Sequence, residues 1–156
     1  MTTPARELIL DNVNAVLATI SIANGYKTDV ETVARTLVSW SDIGAAQMPW
    51  VGFAPINQSS VEYKPNQLLK VRMPVTVVGH VNVLAGELKT QALAKLEDDI
   101  IAVVNLDTTR GGNAIRTNWQ GTQTDEGSTD SDDHRGGSGT LVMSFEVLYE
   151  RSVSST

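Results

Sequence analysis

LLKVRMPVTVVGHVNV, residues 68–83, is the stretch of sequence that decides the fold. Valine recurs throughout it, and β-branched side chains favour the extended backbone of a strand. Pro74 interrupts the run, and proline lacks the N–H group that a strand donates to its neighbour. Prolines in sheets therefore lie mainly at edges or bends. The stretch predicts one long strand with a bend or an edge position at Pro74.

A helix is predicted before this strand. Thr3 offers an N-cap, Pro4 suits a first helical turn, and Asn24-Gly25 is typical of a left-handed stop. The predicted helix therefore spans Pro4–Ala23. Its apolar stripe repeats at helical spacing through Ile9, Val13, Val16 and Ile20.

A second helix is predicted after the strand, over Ala85–Asn105. Charged side chains between these positions fall off the apolar stripe, as expected for a helix with one face on a core. The stripe consists of Leu88, Ala92, Leu96, Ile100 and Val103.

Shorter strands are predicted elsewhere from alternation of apolar and polar residues or from flanking prolines. The segments are Val30–Trp40, a short strand around Trp50, Val51 and Phe53 between Pro49 and Pro55, Val61–Lys64 before a turn at Pro65-Asn66, Ile115–Trp119 and Leu141–Tyr149.

The order of these elements predicts an α+β fold. It consists of a mixed, mainly antiparallel sheet packed against two helices, since the series lacks the regular strand-helix alternation of a parallel sheet. With 156 residues, one domain over residues 1–156 is expected. Trp40 is expected in its core, because aromatic residues in strands usually pack inside.

Composition excludes several classes of protein. Hydrophobic residues form 41% of the chain and charged residues 19%, which favours a folded core over disorder. The net charge of −6 disfavours stable binding to nucleic acid. The absence of cysteine excludes disulfides and thiolate zinc sites. Neither a signal peptide nor a membrane-spanning segment is expected from the apolar runs.

Residues 120–139 differ from the rest of the chain. They are rich in Gly, Ser, Thr and Asp and have almost no apolar residue, so a flexible acidic arm or loop is predicted, either a loop or a long polar β-arm of hairpin type. Asp130, Asp132 and Asp133 offer oxygen ligands of the kind that calcium or magnesium prefers. Their spacing does not fit an EF-hand loop. A solvated acidic loop is therefore the favoured interpretation, with a metal site as the lesser alternative.

No catalytic residue and no cofactor is predicted. His80 lies in an apolar strand and His134 in the acidic segment, and neither has a recognisable catalytic partner in the sequence. A structural role for His80 is favoured over a catalytic one. The serines lack a nucleophile-elbow frame, and the glycine pairs lack the spacing of a phosphate-binding loop. Gly111-Gly112 and Gly136-Gly137 are interpreted as turn and hinge glycines.

Three stretches carry a resemblance to a known family. They are PVTVVGHV at residues 74–81, LEDDIIAVV at residues 96–104 and GTLVMSFEVLYE at residues 139–150. With the opening helix Ile9–Ile20, their order along the chain resembles that of bacteriophage tail terminator proteins. The similarity covers most of the chain, and its motifs are hydrophobic patterns without a catalytic signature.

The resemblance implies a virion structural protein, assembled in the host cytoplasm and located at the head-proximal end of the tail. Such proteins form a homo-oligomeric ring, expected to be hexameric, that stops polymerisation of the tail tube and joins the tail to the head connector. The expected partners are the tail tube protein and a head completion or connector protein, with DNA passing through the lumen without specific binding. The interface candidates are Trp119, Asp125, Glu126, Asp130, Asp132, Asp133, His134 and Arg135.

Other functions stay open at this point. The nearest is a different head-to-tail joining or tail-completion subunit with a similar ring. A small enzyme using His80 or the acidic segment would require a pocket in which polar groups converge. A ligand-binding module is a third class, for which no residue pattern names a ligand.

Overall fold

The fold class predicted from the sequence is confirmed. A computed structural model describes residues 3–64, 68–125 and 135–152, and within them it contains two α-helices and six strands. The helices are α1 (Ala5–Leu17) and α2 (Lys89–Asn105). The strands are β1 (Thr32–Ala34), β2 (Trp50–Pro55), β3 (Ser59–Lys64), β4 (Leu68–Leu88), β5 (Arg116–Asp125) and β6 (Arg135–Ser152).

The strands form one mixed sheet around β4 and β6. The order is β1-β2-β4-β6-β5, with β3 also paired to β4. Only β1 and β2 run parallel among the described strand pairs, and the others are antiparallel. The β4–β6 pairing runs from Leu68↔Ser152 to Leu88↔Arg135. The stretch that decides the fold thus forms the middle of the sheet.

The prediction of an edge position at Pro74 is wrong, because β4 is a central strand. Pro74 pairs with Glu146 of β6 on one side. On the other side it faces the gap between β2 and β3, where its carbonyl accepts a hydrogen bond from the Ile56 N–H at 2.8 Å. A proline fits here because the strand neighbour changes at this position, so its missing N–H leaves no regular ladder bond broken.

The first helix is shorter than predicted. It ends at Leu17 instead of Ala23, and it begins after Pro4 without a side-chain cap from Thr3. Ser21 has an extended backbone and accepts a hydrogen bond from the Asn24 N–H, which starts a separate 3₁₀ turn at Ile22–Asn24. Gly25, with φ of 93°, then closes this turn in the predicted left-handed conformation.

The second helix ends at Asn105 as predicted but begins at Lys89 instead of Ala85. The four residues before Lys89 belong to β4, whose ladder with β6 is interrupted by a register shift after Val83 and resumes at Leu88↔Arg135. The helix starts only after this last strand pair, because Leu88 is still held opposite Arg135 in the ladder.

The prediction of a strand over Val30–Trp40 is mostly wrong. Only Thr32–Ala34 is a strand, and two 3₁₀ turns follow, at Trp40–Asp42 and Ala45–Gln47. The apolar residues of this region cross over the sheet instead of joining it. We call residues 35–48 the covering segment. The structure does not describe the Trp40 side chain, so its predicted place in the core stays a prediction.

The main core lies between the two helices and one face of the sheet. The odd-numbered residues of β4 and β6 point to it, as the alternation of a strand requires. Helix α2 approaches the sheet closely at Gly79, where an added Cβ would lie 2.7 Å from a methyl group of Leu96. Ile100 and Phe145 are 0% and 2% exposed, which confirms the register inferred for α2 and β6.

Strands β5 and β6 are longer than predicted. Residues 120–125 continue β5, and residues 135–139 belong to β6. Of the predicted alternatives, the polar β-arm is therefore confirmed for these parts, which pair with β6 and β4 in the sheet. Gly139 packs against the core, since an added Cβ would lie 3.2 Å from Leu93. The remaining part of the predicted arm, residues 126–134, lies outside the described residues.

Candidate functional site

The face of the sheet opposite the helices is largely open, and we call it the open face. Its residues occupy the even-numbered positions of β4 and β6 and the positions of β5 that pair with them. Apart from the area under the covering segment, these side chains are mostly polar and exposed or half-buried. They include Arg72, Thr76, Asn118, Gln123, Ser144 and Glu146.

A polar network ties three strands together on the open face. The Arg72 Nε atom lies 3.1 Å from Glu146 Oε1, and Gln120 Nε2 donates to Glu146 Oε2 at 3.2 Å. The Arg72 side chain is 47% exposed, so the ion pair contributes little, on the order of 0–1 kcal/mol. The network fixes the orientation of polar groups across β4, β6 and β5 more than it stabilises the fold.

Strand β5 is an edge of the sheet. Edge strands expose unpaired N–H and C=O groups to which another strand can bind. The ladder shifts register between Trp119 and Gly121, where Gly121 adopts a φ of 149°. Trp119 is 44% exposed at this bulge, and its Nε1 donates to Thr122 Oγ1 at 3.1 Å. A large aromatic side chain thus lies half in solvent on an edge strand.

The interface candidates from the sequence fall into two groups. Trp119 and Asp125 are exposed on β5, six positions apart. Arg135 is the first residue of β6, and the structure describes its backbone alone. Glu126, Asp130, Asp132, Asp133 and His134 lie outside the described residues. The metal-site alternative at Asp130, Asp132 and Asp133 thus stays untested, and no group of three or more His, Cys, Asp or Glu within the described ranges could hold a metal.

His80 has two partners that the sequence did not reveal. Its Nε2 lies 2.7 Å from the Val38 carbonyl oxygen, and its Nδ1 lies 2.8 Å from the Thr140 hydroxyl. A carbonyl only accepts, so Nε2 carries the proton and Nδ1 accepts from Thr140. The Trp50 ring packs beside the imidazole at 5.3 Å between centroids. Both nitrogens are engaged and the residue is 2% exposed, as suits a structural role.

Burial also sets the protonation of His80. Desolvation lowers its pKa below 6.5, and the hydrogen bond to Val38 raises it by less. The neutral ring is therefore favoured in the folded protein. It fastens the covering segment to β4, which is a structural link between residues far apart in the chain.

No model of a known protein family matches this chain. No curated protein matches it either. Within the part of the chain that the structure describes, neither helix is long and apolar enough to cross a membrane.

A groove of 640 Å³ lies between the loop after α1, the last part of β4 and the start of α2. Ile22 and Leu88 contribute apolar surface, and Asp29, Glu31 and Glu87 alternate with Lys27 and Lys95. Lys27 is engaged with Asp98 at 2.9 Å, and this contact raises the lysine pKa. In a catalytic pocket, polar groups converge on one point. The charged side chains of this groove are of mixed sign and do not form such a group.

Among the buried charged residues in or near α2, Asp99 and Arg110 escaped the sequence analysis. Asp99 is 3% exposed, and both its carboxylate oxygens accept from the Lys27 N–H at 3.0 Å. Arg110 is fully buried and donates to the carbonyl oxygens of Val104, in the last turn of α2, and Asp107, in the loop that follows. Both residues satisfy backbone groups next to α2, so their roles are structural. Their backbone partners could not be read from residue types.

The loop after α2 confirms the interpretation of Gly111-Gly112 as turn glycines. Both have positive φ, at 72° and 88°. Asp107 organises the loop by accepting from the Thr109 hydroxyl at 2.6 Å and the Gly111 N–H at 2.8 Å. The Thr109 hydroxyl and these backbone donors hold the Asp107 pKa below its usual value. The glycines thus serve a tight turn around a carboxylate of the chain itself.

Proposed function

We propose that this chain is a virion structural protein that forms a ring at the head-proximal end of a phage tail. In this role it stops polymerisation of the tail tube and joins the tail to the head connector. The observation that carries the proposal is the edge of β5, where Trp119 is 44% exposed. Trp119 pairs with Phe145, so it lies on the helix side of the sheet, opposite the open face. Such a subunit has surface available for neighbours on its edge and on one face.

The edge of β5 supports contact between protein chains. Unpaired backbone groups on an edge strand favour the addition of a neighbouring strand. Tryptophan is enriched among the residues that dominate binding energy at protein interfaces, because it buries a large area and keeps one donor. In the isolated subunit that donor is directed to Thr122. The bulge at Gly121 limits indiscriminate pairing, so the neighbour must match a specific shape.

The open face supports a position near DNA without tight binding to it. Its cations, Lys70, Arg72 and Arg116, are interleaved with Glu146 and Glu150 on neighbouring strands. Phosphate-binding surfaces need an excess of positive charge, and the chain as a whole carries −6. A polar surface of mixed sign suits a lumen through which DNA passes without specific binding.

The position of His80 disfavours the enzyme alternative. A general base must reach a substrate proton, and both nitrogens of His80 are already hydrogen-bonded inside the protein. A different head-to-tail joining subunit would also require an exposed strand edge and an open sheet face, so these features support that alternative as well. For the proposed function, the partners in the virion are the tail tube protein and a head completion or connector protein.

Negative-stain microscopy and light scattering of the purified chain test the proposal. Rings of one width, with a mass several times that of the 16.8 kDa subunit, would support it. A strict monomer that is also absent from purified tails would contradict it.

A matched pair of variants tests the edge of β5. Trp119→Ala should weaken ring formation by about tenfold or more, since truncating a central interface tryptophan costs on the order of 2 kcal/mol. Ile56→Ala is the control, because Ile56 is 43% exposed but lies in the turn between β2 and β3. Equal effects of the two substitutions in sedimentation experiments would show that the β5 edge is not the contact.

A further inference from the structure

Part of the central strand β4 has a neighbour on one side alone. Its pairing with β2 ends at Trp50↔His80, whereas its pairing with β6 continues regularly to Val83↔Gly137. Beyond His80, no described strand lies on the β2 side of β4. We call this side of residues 81–84 the open edge of β4.

Backbone hydrogen-bonding groups point toward the open edge. The Pro74 carbonyl points to the β2 side, where it accepts from the Ile56 N–H. The N–H and C=O groups of successive residues alternate between the two sides of a strand. The register with β6 is regular from Pro74 to Val83, so the N–H and C=O of Asn82 point to the same side as the Pro74 carbonyl. Such groups are a template for an added strand.

The open edge forms one wall of the 640 Å³ groove. Val81 and Val83 of β4 line this wall, and Ala92 of α2 and Ile22 after α1 contribute the other apolar parts. Ile22 is 59% exposed, and Leu84, the residue after Val83, is 73% exposed. Exposed apolar side chains gathered around unpaired backbone are typical of a surface that binds another chain.

The edge of β5 has the direction and the side chain that fit this groove. Strands β4 and β5 are both antiparallel to β6, so they run in the same direction. Trp119 lies on the helix side of β5, and Val83 lies on the helix side of β4. When a second copy adds its β5 to the open edge with its helices on the same side, its Trp119 ring therefore enters the groove. The added pair is parallel, like the pair of β1 and β2.

The charges of the two surfaces also fit. Three carboxylates and two lysines line the groove, namely Asp29, Glu31, Glu87, Lys27 and Lys95. Lys27 is already paired with Asp98, which leaves the groove acidic on balance. Residues 116–124 of β5 include one charged residue, Arg116, and no carboxylate. Opposite charge of this kind favours encounter in the right orientation.

We propose that the β5 edge of one copy adds to the open edge of β4 in the next copy, with Trp119 in the groove. This contact rests on the proposed function and deepens it by assigning the two surfaces at which neighbouring subunits meet. The surfaces differ, so the contact is heterologous, and repeating it with a closing rotation generates a ring. With Trp119 opposite Val83, Asn118 lies opposite Asn82 on the open face.

Disulfide formation between copies tests the contact, because the chain has no cysteine of its own. Asn82 and Asn118 are both exposed. Neighbouring strands lie about 4.8 Å apart, within the Cα separation that a disulfide bridges. A chain with Asn82→Cys and Asn118→Cys should therefore form a series of covalent multimers on mild oxidation, seen on non-reducing gels. Replacing Asn118→Cys by Leu106→Cys is the control, since Leu106 is exposed after the end of α2 and should give no such series.

The single-cysteine variants establish the direction of the contact. Neither Asn82→Cys nor Asn118→Cys should crosslink alone, because each copy then lacks the matching position. An equal mixture of the two should give a covalent dimer and nothing larger. A heterologous contact requires this pattern, whereas a two-fold contact crosslinks identical positions.

A proline at position 82 tests the backbone hydrogen bonds independently. Asn82→Pro removes an N–H that points away from β6, so the β4–β6 ladder stays intact, as it does at Pro74. Association measured by sedimentation equilibrium should weaken at least about tenfold relative to Asn82→Thr, which keeps the N–H and suits a strand. Circular dichroism melts establish that both variants fold.

Several results would overturn the contact. Rings that form without the disulfide between positions 82 and 118 would remove this inference and leave the proposed function standing. Crosslinking of Asn82→Cys alone would show that the open edge meets itself. An Asn82→Pro chain that assembles like Asn82→Thr but no longer joins tails would assign the open edge to another tail protein. A wild-type chain that stays monomeric and is absent from purified tails would overturn this contact and the proposed function together.

Discussion

Helices cover one face of the sheet, and irregular chain covers only part of the other. On one face, α1 and α2 cover a large core that includes Val75, Leu96 and Met143. On the other, Ile43 and Met48 of the covering segment pack with Trp50 of β2 in a small cluster. The first covering consists of helices, and the second consists mainly of irregular chain with two 3₁₀ turns.

The difference shows two ways in which a sheet acquires a cover. The helical cover depends on apolar area, and burying that area supplies most of the free energy of folding. The covering segment has little such area and depends on close backbone approach. Its Thr36 carbonyl passes directly over Gly52, and His80 holds Val38. The packing of the helices on the sheet should therefore tolerate small substitutions. The packing of the covering segment should be disturbed by the addition of a single atom.

The largest expected effect concerns the helical core. Ile100→Asp places a carboxylate in a fully buried site of α2 without a partner, which should cost on the order of 4–5 kcal/mol or more and prevent stable folding. Phe145→Asp on β6 should do the same. Leu106→Asp is the control, since Leu106 directly follows α2 and is 76% exposed. A normal cooperative melt of Ile100→Asp by circular dichroism would contradict the assigned core.

A smaller effect is expected beneath the covering segment. Gly52→Ala adds a Cβ inside van der Waals distance of the Thr36 carbonyl and the Trp50 ring, so the segment must shift. Overpacking of this kind costs about 1–3 kcal/mol. Gly44→Ala is a matched control, because nothing lies within 4 Å of its added Cβ and its φ of −70° suits alanine. Equal melting temperatures of the two variants would show that the segment does not depend on close packing at Gly52.

The smallest effect is a pH dependence of the covering segment. The folded pKa of His80 lies below the unfolded value of 6.5, because burial disfavours the charged ring. Its contribution to stability is therefore complete above about pH 6.5 and is lost as the pH falls toward the folded pKa. His80→Gln should remove this part of the pH dependence of the unfolding free energy. His134→Gln should retain it, and denaturant melts between pH 5 and 8 of the two variants separate these outcomes.

The same contrast explains which parts of the fold could be predicted from sequence. The apolar periodicity of Leu96, Ile100 and Val103 places α2 correctly, because a helix on a core repeats at a fixed spacing. The alternation of Leu141 to Tyr149 likewise places β6. These patterns reflect burial, because each buried position requires an apolar side chain. They are therefore visible in the order of residues along the sequence.

The rest depended on partners distant in the chain. Residues 30–40 alternate like a strand, yet most of them cross the sheet. Gly52 has no side chain to block the Thr36 carbonyl, and His80 forms a hydrogen bond to the Val38 carbonyl. Pro74 indicates an edge, and only the change of neighbour from β2 to β3 makes it acceptable in the centre. Of the candidate site, Trp119 was identified from its type, whereas its exposure follows from the place of β5 at the edge.

The central place of β6 has a consequence for synthesis on the ribosome. Residue 68 pairs with residue 152, so the backbone groups of β4 that face β6 have no hydrogen-bond partners until β6 has been translated. Until then the valine-rich β4 and the apolar stripe of α2 share no complete core, and nascent chains in this condition are prone to aggregate. Pairing over such long sequence separation also folds slowly. Newly made chains should therefore rely on chaperones in the interval between translation of β4 and release of β6.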